Sequence, residues 1–124
     1  MNMHGIYKIS AFNRWMRKVR FTDQSLIIAI EEMKKGLIDA DLGGGLVKKR
    51  IAISGQGKRG GARTIIATNK KDRWIFLIGF QKNERANISQ KEEETLKQLA
   101  FDLLRLNQIE IEVALANQIL MEVI

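Results

Sequence analysis

The sequence predicts an α+β domain in which an N-terminal helical hairpin and a C-terminal helix pack on a small antiparallel sheet. Three observations carry that expectation. Two apolar stripes of helical period lie between residues 10 and 37 with almost no linker between them. Three strand-like runs follow, at about 46–53, 62–69 and 73–80, on short connections. A capping signal at Ser89 and Glu92 then opens another segment of helical period.

In chain order, Ile6 to Ile9 alternates weakly and is a candidate N-terminal strand. Ser10 is the expected N-cap of the first helix, where Phe12, Trp15, Met16 and Val19 follow the i, i+3, i+4, i+7 rule. Thr22 or Asp23 opens the second helix, with Leu26, Ile30, Met33 and Leu37 as its buried stripe and Gly36 near its end. The short link between the two makes a helical hairpin. Short links between the three strands favour an antiparallel meander, with Asn69-Lys70-Lys71-Asp72 as a tight polar turn. The third strand, Trp74 to Phe80, is apolar on both faces and belongs at the centre of the sheet. In the helix after Ser89, Leu96, Leu99, Ala100 and Leu103 face inward. Residues 109–124 are helix-compatible but apolar around most of their surface. They read as a helical extension, 108–124, to a domain of residues 1–107, and need cover from the body, a second copy or a partner.

The formal net charge of +7 favours an anionic partner. Residues 89–124 hold three Lys or Arg against seven Asp or Glu, so the positive charge resides in the first 88 residues. Without cysteine the chain has no disulfides or thiolate metal sites, and its one histidine, His4, supports neither a histidine metal site nor a His-dependent triad. The longest apolar run is too short to span a bilayer, so a cytoplasmic protein without cofactor or metal is expected.

From Gly43 to Arg63 the chain carries six Lys or Arg and no Asp or Glu. Strand alternation sends Lys48 and Arg50 one way and Val47, Ile51 and Ile53 the other, and the hairpin returns Lys58 and Arg63 to the polar face. Cations thus converge where no carboxylate answers them, which suits a phosphate. Lys49 and Arg59 are further candidate contacts for a nucleic acid, with Lys49 expected to snorkel at a strand edge. Lys82, Asn83 and Arg85 complete the rim. The bland alternative is a solvated charged strand; the missing acids, flanking glycines and in-phase cations weigh against it. Gly55-Gln-Gly57-Lys-Arg-Gly60 matches the dinucleotide pattern literally, but a strand follows it where a helix is needed. A phosphate-binding P-loop fails because Arg59 follows Lys58, and the KH-type loop joins two helices. Trp15 and Trp74 sit in apolar stripes and read as core.

Four motifs occur in order between Phe12 and about Leu104: Asp39-Ala-Asp-Leu-Gly-Gly-Gly-Leu, Lys48-x-Arg50, Gly55-Gln-Gly-Lys-x-Gly-Gly-x-Arg63 and Gly79-Phe-x-Lys-Asn-Glu-Arg-Ala-Asn-Ile88. Together they resemble the HigB-like branch of the RelE/ParE toxin superfamily. The resemblance implies a small toxin fold and a cognate antitoxin, often encoded nearby, with a helix-turn-helix protein as one form. For RelE-like members it also implies cleavage of mRNA in the ribosomal A site, which blocks translation. Two positions depart from the pattern: Ala62 stands where many members have an aromatic, and Ser89 falls near a tyrosine of RelE.

RNA carries its own nucleophile, the 2′-hydroxyl, so a metal-free nuclease needs a base, cations for the phosphorane and an acid. Lys48, beside other cations that favour its neutral amine, is the candidate base. Arg50 and Arg63 suit stabilisation of the phosphorane, and Lys58 suits the acid or a clamp. Two other readings use the same cations: a DNA gyrase poison of the ParE type, and a non-enzymatic RNA- or ribosome-binding protein. RNA or ribosome binding through several Lys and Arg is expected to fall steeply with salt. A flat salt titration of binding would instead indicate an apolar protein partner.

Overall fold

The computed structural model describes residues 5–53 and 57–124, with the backbone alone at 57–60. Its six strands form one sheet in the order β2-β3-β4-β5-β1-β6, with four helices among the described residues. The central strand is β5 (Trp74–Gln81), flanked by β4 (Gly57–Thr68) and β1 (Ile6–Ile9). It is apolar on both faces because both are covered. Trp74 and Phe76 join the core with α1 (Ser10–Lys18) and α2 (Asp23–Lys34). Ile75 and Leu77 join a second core with α3 (Gln90–Leu104) and α4 (Gln108–Ala116).

The expected meander is present as β3 (Leu46–Ile53), β4 and β5, and it is extended by β2 (Ala40–Gly43). β2 is too short to show a period in the sequence. It is joined to β3 by Gly44-Gly45 at φ +62° and +83°, the left-handed pair that a two-residue hairpin needs. β4 begins at Gly57 rather than near residue 62, because the glycine-rich basic run is itself paired with β3. Glycine is depleted in strands, which hides this start, yet Gly61 is required: a Cβ there would lie 2.1 Å from the Ile51 carbonyl oxygen. The sheet is not wholly antiparallel, since β1 runs parallel to β5. The chain between them includes both N-terminal helices and three strands, ample length for a crossover.

The helices keep their expected faces, with two local corrections, at the start of α1 and the end of α2. Ile9, not Ser10, is the N-cap of α1, and the Ser10 hydroxyl instead donates to the Gln118 carbonyl. Thr22 caps α2 by accepting from the Ser25 N–H at 3.3 Å. α2 stops at Lys34, before Gly36 at φ +92°, so Leu37 lies beyond the helix and is 56% exposed. The Ser89–Glu92 capping box of α3 is formed in both directions.

Residues 109–124 are not one helix. α4 ends at Ala116, Gln118 turns at φ +58°, and β6 (Leu120–Glu122) pairs antiparallel with β1. The apolar ring is explained by two environments. Ile111, Ala114 and Leu120 enter the α3–α4 core, while Val123 crosses to the α1–α2 core. Asp23 ties the last strand down: one carboxylate oxygen takes the Lys8 ammonium at 2.6 Å, the other the Ile124 N–H at 3.1 Å. Ile109, Val113, Ile119 and Ile124 remain exposed. Among the described residues no helix is long and apolar enough to cross a membrane. Leu120→Ala is expected to cost about 2–5 kcal/mol in chemical denaturation, since the side chain is fully buried. A tail lying outside the core would give a neutral result.

Candidate functional site

The register of the sheet assembles the site. Residues directly opposite in a ladder share a face, and here Arg50 pairs with Arg63, which pairs with Phe80. The next row toward α3 is Lys48, Ile65 and Ile78, and Leu46, Ala67 and Ile75 pack in the core that α3 covers. The basic rows therefore lie on the α3 side of the sheet, at the edge of that helix's cover. A groove of about 310 Å³ opens beside them, lined by Ile78, Ser89, Glu92, Thr95 and Leu96 with Lys91.

Carboxylates do answer some of these cations, contrary to the expectation from the basic stretch alone. They come from outside it. Asp39 grips Arg50 twice, with Oδ1 3.0 Å from Nε and Oδ2 2.7 Å from the backbone nitrogen. Glu92 grips both Nη atoms of Arg85, one of them at 3.0 Å. Lys49 is not in the site. The pleat sends it under α2, where it is 3% exposed, bonded to Glu32 at 2.8 Å and to the Leu37 carbonyl at 2.9 Å. It is a buried, paired charge and does not snorkel at an edge, because α2 and the segment after it close over that face.

What remains is smaller and sharper. Among the described residues, Lys48 has no side-chain ion pair or hydrogen bond, and Arg63 has no ion pair. Arg63 Nη1 is buried and without a hydrogen-bond partner. Lys82 and Asn83 are exposed in the turn after β5, where Glu84 caps by accepting from the Gln81 N–H at 2.8 Å. The side chains of Lys58 and Arg59 lie outside the described residues. Ala62 is fully buried in the α1–α2 core, so an aromatic at this position would enter that core and not the groove. Ser89 sits at the groove's lip as the N-cap of α3.

Three participants were not read as site residues from the sequence: Asp39, Phe80 and Glu92. Phe80 lies beside Arg63 and under the Arg85 guanidinium, whose carbon is 5.3 Å from the ring centroid. Glu92 was legible as a helix cap, but its second task depends on the fold. Arg85 in turn pulls the Glu92 carboxyl from its usual 4.5 to about 2, with the Ser89 N–H adding to the effect. Among the described residues no cluster of His, Cys, Asp or Glu fits a metal ion.

The fold is a small basic α+β domain whose α3 side carries Lys48 and Arg63 without an acid partner among the described residues. The chain matches the family of the RelE toxin of the RelE/RelB toxin–antitoxin system over residues 4–123, and it belongs to that family. It is thus the toxin half of a toxin–antitoxin pair, which implies a cognate antitoxin. No curated protein matches it.

The Arg85–Glu92 pair sets a pH dependence. The Glu92 pKa is lowered on folding, so the pair's contribution is complete above about 4.5 and is lost as pH falls toward about 2. Melting curves of the native protein and Glu92→Gln should differ at pH 6 and converge across that window. A difference that persists unchanged at pH 2 would contradict the assignment.

Proposed function

We propose that this toxin is a HigB-like, ribosome-dependent mRNA endonuclease that acts in the cytoplasm and blocks translation. The carrying observation is the Arg50–Arg63 row with Lys48 beside it: two arginines directly opposite in the ladder, only Arg50 matched by an acid among the described residues, and a buried Arg63 donor left unpaired. Like charges opposed across a ladder destabilise it, and an unsatisfied buried donor costs about 1–3 kcal/mol. A phosphate oxygen at this place relieves both.

The chemistry then follows from the side chains. Lys48, without a partner among the described residues, takes the 2′-hydroxyl proton, and the 2′-oxygen attacks the adjacent phosphorus. Arg63 and Arg50 hold the non-bridging oxygens as negative charge builds on them, with Asp39 fixing the aim of Arg50. The bond to the 5′-oxygen breaks, leaving a 2′,3′-cyclic phosphate on one fragment and a 5′-hydroxyl on the other once that oxygen is protonated. Lys58 is assigned to that proton or to a clamp. Arg59, Lys82, Asn83 and Arg85 serve the RNA strand at the rim. The burial of Lys49 removes it from this set.

Mapping of mRNA ends after induction tests the reading. The native toxin should produce ribosome-dependent cuts, and Lys48→Ala or Arg63→Ala should abolish both the cuts and growth arrest. Stability of Lys48→Ala should stay within about 0.5 kcal/mol, and Arg63→Ala, which removes the unpaired buried donor, should be no less stable than the native protein. Intact mRNA with gyrase-linked DNA breaks, or ribosome binding without cleaved ends, would overturn it.

A further inference from the structure

We infer that Glu92 is a positioning residue for the RNA site: together with the ring of Phe80 it fixes Arg85 in one orientation beside Arg63, ready for a substrate phosphate. The inference rests on the nuclease reading above and adds to it a residue whose evident task is to cap a helix.

Four contacts immobilise the Arg85 side chain. Nε donates to the Asn87 carbonyl at 3.1 Å, Nη1 to Glu92 Oε2 at 3.0 Å, and Nη2 to Glu92 Oε1. The guanidinium also lies over Phe80, which is only 3% exposed. A guanidinium has five N–H donors, and these bonds use three. The two that remain, one on each Nη, are set in direction by the fork and the ring plane. Phe80 is the ladder partner of Arg63, so Arg85 is stacked on the side chain that neighbours Arg63 in the sheet.

Glu92 is itself rigid. Its Oε1 accepts the Ser89 N–H at 2.9 Å while its own N–H donates to Ser89 Oγ at 3.1 Å, so the first turn of α3 fixes the carboxylate. A lone Arg85 beside Arg63 would be repelled and would keep its many rotamers. Glu92 cancels that repulsion and removes the freedom before RNA arrives, so less ordering is required to reach the reactive geometry.

Capping and positioning can be separated. Glu92→Gln keeps a side-chain oxygen for the Ser89 N–H, but it loses the charged two-point grip on Arg85. Four proteins are compared: the native toxin, Glu92→Gln, Arg85→Ala and the double variant. The readouts are the single-turnover cleavage rate of ribosome-bound mRNA and the Kd for a short single-stranded RNA. The cleavage rate should fall about tenfold in Glu92→Gln, with a smaller change in Kd. The double variant should be no slower than Arg85→Ala alone, because Glu92 acts through Arg85. A native rate in Glu92→Gln, or losses that multiply in the double variant, would overturn the inference. If the native toxin does not cleave, the nuclease reading fails separately. The Kd values of the same four proteins then decide: coupled losses support the positioning of Arg85, and independent losses refute it.

Discussion

The pleat of β3 divides three consecutive cations between two chemical environments. Lys48 and Arg50 face the open end of the α3 side, and Lys49 goes beneath α2 into a buried ion pair. A shift of one residue in the β3–β4 register would exchange these fates. It would bury two cations under the helical hairpin and bring Val47 and Ile51, now in the core, to the groove. The register is therefore held by the apolar side chains on both faces, and the site inherits its geometry from the core.

Distant carboxylates decide which cations stay available. Asp39 precedes β2, Glu32 lies on α2 and Glu92 on α3, and each neutralises one cation of the sheet or its rim. The two exposed pairs, Asp39–Arg50 and Glu92–Arg85, contribute little to stability. Their main consequence is directional. Arg50 and Arg85 are held in fixed poses, while Lys48 and Arg63 are left with their charge uncompensated among the described residues. The surface facing an incoming anion thus combines aimed and unmatched cations.

The two ends of the chain meet in the sheet. β1 joins β5 in parallel and β6 joins β1 in reverse, and Asp23 holds both through Lys8 and the Ile124 N–H. Leu120 and Val123, three residues apart, enter opposite cores, so the last strand closes both layers at once. α4 keeps Ile109 and Val113 exposed on its outer side.

Much of this was determined by the sequence alone. Helical period placed α1, α2 and α3, the doubly apolar run Trp74–Phe80 marked the central strand, and the capping box at Ser89 started α3 where it is found. Alternation also separated Lys48 and Arg50 from Lys49, because a period of two is a local property of the strand. The tertiary structure decided what depends on contacts between remote residues. The segment after Ala116 became a strand because β1 offered an unpaired edge, which no local propensity reveals. Gly57–Gly61 became strand because β3 lay alongside. The pairing of Arg50 with Asp39, Lys49 with Glu32 and Arg85 with Glu92 arose from the packing of separate elements. Charge counted along the chain sees a stretch without acids, whereas the electrostatic environment of a side chain is set by distance in space.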